Sequence, residues 1–163
     1  MQMLSIDQAD ETYDWLSSIE EEAEIAEIIA SFGEAQPVLF TYLMTMGESD
    51  FDGEESELML FLGLIIWQTY QRAGIEIAEI DEQHLEEIKS QNAKMIEFLA
   101  EESEEGFAQI ARDLMTESSQ AGLLEFLVQI IFEEEADIIK SSNQGVMFIF
   151  VKVVIDAIES SLQ

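Results

Sequence analysis

Residues 146–158 limit most strongly what this chain can fold into: Val, Ile, Phe and Met dominate the stretch, and only Lys152 and Asp156 carry charge. On a helix Lys152, Asp156 and Glu159 follow one another at spacings of four and three, so they form one thin polar stripe on a segment otherwise apolar all round. Such a segment must be enclosed, and the remaining helices are expected to enclose it. Its Val and Ile content also suits a strand, with Met147, Ile149, Val151, Val153 and Ile155 on one side. Helix is favoured because no turn residue interrupts residues 146–162 and no partner strand is in view.

A chain of 163 residues is the size of one domain, spanning 1–163, and can bury roughly 70% of the surface its unfolded form exposes. It has no cysteine, which removes disulfides, thiolate nucleophiles and zinc–thiolate sites together. The N-terminal residues lack a basic segment followed by an apolar one. The longest apolar runs, 58–67 and 146–151, fall short of the roughly 20 residues that cross a bilayer. A cytoplasmic protein without membrane contact is the expectation.

Acids outnumber bases 36 to 6, for a formal charge of −30 at pH 7, while 48% of residues are hydrophobic. That apolar share is ample for a core, so the charge belongs on the outside of a folded body. Nucleic acid and anionic lipid surfaces are poor partners, because neutralising them takes clustered Lys and Arg that this chain lacks. Adaptation to a salty habitat would also produce an acidic surface, here made of 27 Glu and 9 Asp.

Along the chain, Ser5 with Gln8 forms a capping box, and Ile6, Ala9, Tyr13 and Leu16 follow at helical spacing. A second box, Ser18 with Glu21, is expected to restart or continue the helix, giving two helices or one bent one, and Phe32-Gly33 to stop it. Pro37 suits a first helical position, and Gly47 closes the short helix that follows. Asp52 with Glu55 can cap a long buried helix running to Gly74. Helical spacing continues from Ile77 through Ile80, His84, Ile88, Met95 and Leu99. Ser103 and Gly106 mark a restart before Phe107, Ile110, Ala111 and Leu114. Residues 123–131 make another thick apolar helix, and residues 140–145 look like a linker to the last one. Residues 58–67 and 123–132 share five identities in ten positions, which is explained either by duplication or by two buried helices needing Leu, Phe and Ile at the same spacing.

The search for chemistry is mostly negative. Glu48, Asp50, Asp52 and Gly53 match the opening of an EF-hand loop, but Met59 stands where the bidentate Glu is required. A di-iron bundle needs two Glu-x-x-His motifs, and His84 is the only histidine, with Asp81 three residues before it. No glycine-rich phosphate loop or Gly-x-Ser-x-Gly turn is present. Paired carboxylates act as acid and base only when one of them sits in an apolar cleft. Trp67, Tyr70 and Arg72 suit an interface anchor, though the last core turn of a helix accounts for them as well. Lys152 is expected to pair with Asp156 or to reach water past apolar neighbours.

The expected fold is all-α: a single compact bundle of six or seven helices with the apolar C-terminal helix at its centre. The functional expectation is a non-enzymatic acidic protein that binds a basic protein partner, as an inhibitor, immunity-type protein or adaptor would. The acidic runs 20–24, 101–105 and 133–137 carry it, through a field that salt screens over roughly 8 Å at physiological ionic strength. Alternatives are weak divalent-cation binding by loop 48–57, and a small carboxylate-dependent enzyme, which has the least support. No catalytic, cofactor-binding or metal residue is assigned. A homodimer would cover the last helix as well as a single chain does.

Overall fold

The C-terminal run forms α8, Ser141–Ser161, and eleven of its residues are buried, from Asn143 through Glu159. In the computed structural model, which describes residues 3–48, 50–100 and 104–162 and the side chains of all these except 96, 98–100 and 104–108, α8 packs against four other elements. These are α4 (Gly53–Arg72), α5 (Glu82–Ala100), α7 (Ala121–Gln129) and the π-helical turn Ile130–Glu134 that continues α7. Around them lie α1 (Ile6–Ser18), α2 (Glu22–Ala35), α3 (Pro37–Thr45) and α6 (Glu104–Glu117). No strand occurs among the described residues. The fold is therefore all-α, with eight α-helices among the described residues where six or seven were expected, the first acidic segment forming two of them, α1 and α2. Residues 101–103 of the acidic run, Ser103 among them, lie outside the described residues, as do the side chains of residues 104 and 105, Leu99 and Phe107.

α8 has the length and composition to cross a bilayer, yet 56% of its most apolar window is buried inside the bundle. Here it is the hub that the other helices cover. Its apolar faces meet those of α4, where Met59, Leu62, Ile65 and Ile66 are fully enclosed, and of α7, where Leu123, Leu124 and Leu127 are. Burying each such side chain stabilises the fold by about 1.5–3 kcal/mol relative to leaving it in water.

The local signals at helix ends are largely obeyed. Ser5 and Gln8 form the expected capping box, and so do Asp52 and Glu55. Gly47 and Gly74 take left-handed backbone, φ 71° and 77°, at the ends of α3 and α4. Three expectations fail. Ser18 ends α1 and donates to the Trp15 carbonyl, while α2 starts after Glu21 with no side-chain cap. Gly33 lies inside α2, which stops only at Ala35, because Gln36 precedes Pro37 and is pushed out of helical geometry to φ −137°, ψ 69°. Residues 141–145 are not a linker but the first turns of α8. Ser, Asn and Gly suggested a loop, and the inward role of Asn143 overrides that preference.

The two similar segments, 58–67 and 123–132, share neighbours. Both pack on α1 and α8, and the Tyr13 ring lies edge-on to Phe61 at 5.8 Å and to Phe126 at 5.9 Å, which are matched positions in the two segments. Common packing partners account for the common spacing without duplication.

Candidate partner-binding surface

Buried polar side chains in this bundle serve as clasps, and their commitments decide what is left over for function. Gln36, at the start of α3, donates to the Ala78 carbonyl at 2.9 Å and accepts from the Ile80 amide at 2.9 Å, fixing the extended segment before α5. Gln120, before α7, accepts from the Leu4 amide at 2.8 Å and donates to Glu159 at 2.8 Å, tying the N-terminal segment to the end of α8. Glu55 is fully enclosed and joins the starts of α4 and α8. One oxygen accepts from the Asp52 amide at 3.0 Å, and the other from the Lys140 amide at 3.0 Å and Asn143 Nδ2 at 2.9 Å. Burial pushes its carboxyl up, but these donors and the Lys140 charge outweigh that and hold it below the ordinary carboxylate range. The Lys140 ammonium adds little through contact, being 3.9 Å away on a side chain 60% exposed.

Loop 48–57 therefore spends its central carboxylates on structure. Asp52 accepts from the Glu55 amide at 2.9 Å, and Glu55 is saturated as described. Among the described residues no group of three His, Asp or Glu side chains gathers as a metal site would require.

The polar stripe of α8 is likewise absorbed. Lys152 bonds Asp156 at 2.6 Å and Asn92 Oδ1 at 3.1 Å, so it pairs rather than reaching for water. His84 is half-buried, with Nε2 3.2 Å from the Ala157 carbonyl, and Asp81 serves as the cap on its amide at 2.8 Å. Trp67 and Tyr70 are core residues, and Trp67 lies 5.3 Å from the Phe32 ring. Arg72 stays outside and covers the Trp15 ring at 5.1 Å.

Tyr70 is the exception within this tidy interior. Its hydroxyl is buried and meets no partner in full bonding geometry, although the Glu159 carboxylate lies close enough to attract its proton. Burial first, then the nearby Glu159 and Asp156 carboxylates, raises its pKa far above the usual phenol value, so the proton stays on. Because a buried hydroxyl without a partner carries a desolvation cost, Tyr70→Phe is expected to leave stability unchanged or raise it by about 1 kcal/mol. Urea denaturation checks this. A loss of more than about 1 kcal/mol would show that the phenol bonds Glu159 in solution.

Nearly all the remaining charge faces outward. Among the described Asp and Glu side chains only Glu55 and Glu159 are buried, and only Glu135 and Asp156 are half-buried. Three ion pairs occur among the described residues, and just one of them, Lys89–Glu86 at 3.0 Å, neutralises an exposed carboxylate. Acids from separate helices converge: the Tyr13 phenol is raised by burial and then by Glu134 and Glu135, with Asp14 adding to them, which places the π-helical turn's acids beside those of α1.

Two of the surface cavities lined by described residues bear on this shell. One, of about 310 Å³, is a seam between α1 and α4 lined by Gln8, Glu11, Thr12, Thr69, Arg72 and Ala73. Both of its hydroxyls are committed to helix carbonyls, Thr12 to Gln8 at 3.0 Å and Thr69 to Ile65 at 2.6 Å. The other, of about 460 Å³, lies between α3, α5 and α8 and is mostly apolar, with Tyr42, Met46, Ala93, Phe150 and Val153 in its wall. Neither is lined by a buried carboxylate.

The sequence pointed to acidic runs and to α8. It gave no sign of the clasps Gln36, Gln120 and Asn143, whose clasping bonds span 39 to 116 residues and have no local signature. The α3–α5–α8 groove was equally hidden, since it exists only where three separate helices meet. The chain matches no protein-family model, no curated protein and no solved structure.

Proposed function

We propose that this protein is a non-enzymatic acidic interaction protein that binds a basic protein partner, in the manner of an inhibitor, an immunity-type protein or an adaptor. The observation that carries this reading is the outward placement of almost every described carboxylate with so few bases to neutralise them. A charge of −30 repels itself and destabilises the compact state, and a cationic partner offsets that repulsion while gaining association rate from the same field. The interior supports the non-enzymatic part. Among the described residues both buried carboxylates accept from donors, Glu55 as above and Glu159 from Gln120 and from Ser119 at 3.3 Å, and neither lines either of the two cavities above.

The test is capture from native cell lysate at low and high salt, with light scattering on the recovered complex. One basic protein held in fixed stoichiometry and released by salt is the expected result. Retention of nothing, or of a mixture that an unrelated acidic polypeptide of equal charge also retains, would overturn the proposal.

A further inference from the structure

The groove between α3, α5 and α8 differs from the rest of the surface in being apolar while its rim is acidic. Tyr42 and Phe150 meet edge-on at 6.0 Å, Phe51 backs Phe150 at 5.9 Å, and Met46 and Val153 complete the wall. Burial raises the Tyr42 phenol well above its usual pKa, and the Glu86 charge adds to this, so this ring stays uncharged at any physiological pH. On α5, Glu86, Ser90, Ala93 and Glu97 fall at positions i, i+4, i+7 and i+11, one continuous stripe. The two small side chains in its middle line the groove, and an exposed carboxylate stands at each end, about 16 Å apart along the axis. At the α3 end, Glu48 and Asp50 are exposed on the turn whose Phe51 packs into the wall. The cation lining the groove, Lys89, lies 5.4 Å from the Tyr42 ring centroid and is paired with Glu86, so it offsets that one carboxylate and leaves Glu97, Glu48 and Asp50 to make the rim acidic.

Resting on the reading of this protein as an acidic partner-binder, we infer that this groove is where the partner docks, and that its occupant is a Lys/Arg-rich amphipathic helix. The helix inserts large apolar side chains between α3 and α5, while its flanking bases meet Glu97, Glu48 and Asp50. A second copy of this chain does not fit the site, because it would bring another −30 against the same rim. Helix-in-groove recognition requires an apolar trough with complementary charge at its edges, and both are present here.

The experiment uses the full-length protein and three synthetic peptides: an amphipathic Leu/Lys helix, the same composition scrambled to abolish the apolar face, and oligolysine of equal charge. Affinities are read by fluorescence anisotropy at low salt, and the site by amide chemical shifts. The amphipathic helix should bind about tenfold or more tightly than either control, as apolar anchors in a pocket dominate an interface. Its shift changes should centre on residues 42–46, 89–93 and 150–153. Ala93→Glu adds a carboxylate that strengthens binding by charge alone but obstructs the trough, so it should weaken the amphipathic peptide about tenfold while leaving oligolysine unchanged or tighter. Ser90→Glu, also at an exposed position, repeats the test if the first variant melts early. Equal affinity for all three peptides, or an unweakened complex in both variants, overturns the groove inference and leaves the acidic-binder reading standing. Failure of every cationic peptide to bind the unmodified protein overturns both.

Discussion

Glu55→Ala is expected to destabilise the fold by about 3–5 kcal/mol, the cost of removing one member of a buried charged network. The substitution takes the acceptor from three donors together: the part-buried Asp52 and Lys140 amides and the buried Asn143 Nδ2, which keeps its bond to the Asp50 carbonyl at 3.0 Å. Each buried donor left without its acceptor costs about 1–3 kcal/mol, and the two helix starts that it joins lose their common anchor. Urea unfolding of the variant measures this, and a change below about 1 kcal/mol would show that water replaces the carboxylate without penalty. The pH dependence has a definite sign. A carboxyl held below its unfolded value contributes its full stabilisation above the unfolded pKa, about 4.3, and loses it as pH falls through the lower folded value. The melting-temperature difference between the protein and Glu55→Gln should thus be flat from about pH 7 to pH 5 and shrink below that range. A difference that grows on acidification would contradict the assignment.

Phe148→Ala is expected to cost about 3–5 kcal/mol, through lost burial and the cavity left in a wall that cannot collapse. Phe148 is fully buried in the middle of α8, the one helix that α4, α5 and α7 all touch. Met44 is 49% exposed and serves as the control, with Met44→Ala expected to stay within about 0.5 kcal/mol. Similar losses at both positions would mean that α8 is not the structural hub.

Both sites illustrate which physical signals a sequence carries. The enclosure of α8 followed from its composition, since a segment with one narrow polar stripe has no stable exposed arrangement. Capping at Ser5 and Asp52 and the glycine stops at Gly47 and Gly74 are local, involving neighbours within a turn. The partner of Glu55 is not local. As a capping-box residue Glu55 satisfies one amide visibly, whereas Asn143, which makes it a clasp, lies 88 residues away in a stretch with the composition of a loop. The same limit hid the groove: Tyr42, Ala93 and Phe150 belong to three helices whose register against one another is set by packing. The acidic shell, by contrast, was legible as a total charge before its placement was known.

The fold's stability is concentrated on α8 and its clasps, which leaves the outward carboxylates of α1, α2 and the π-helical turn free to draw a cationic partner in through their field. The decisive measurement is the affinity for the captured basic protein of a variant in which Glu20, Glu21, Glu22, Glu24, Glu133 and Glu134 are all replaced by Gln. All six are exposed and none is a clasp. With self-repulsion relieved, the variant should melt at the same temperature or higher, and bind its partner at least about tenfold more weakly with a shallower salt dependence. An unchanged affinity and salt dependence would contradict the proposal and leave the acidic shell a property of solubility or habitat.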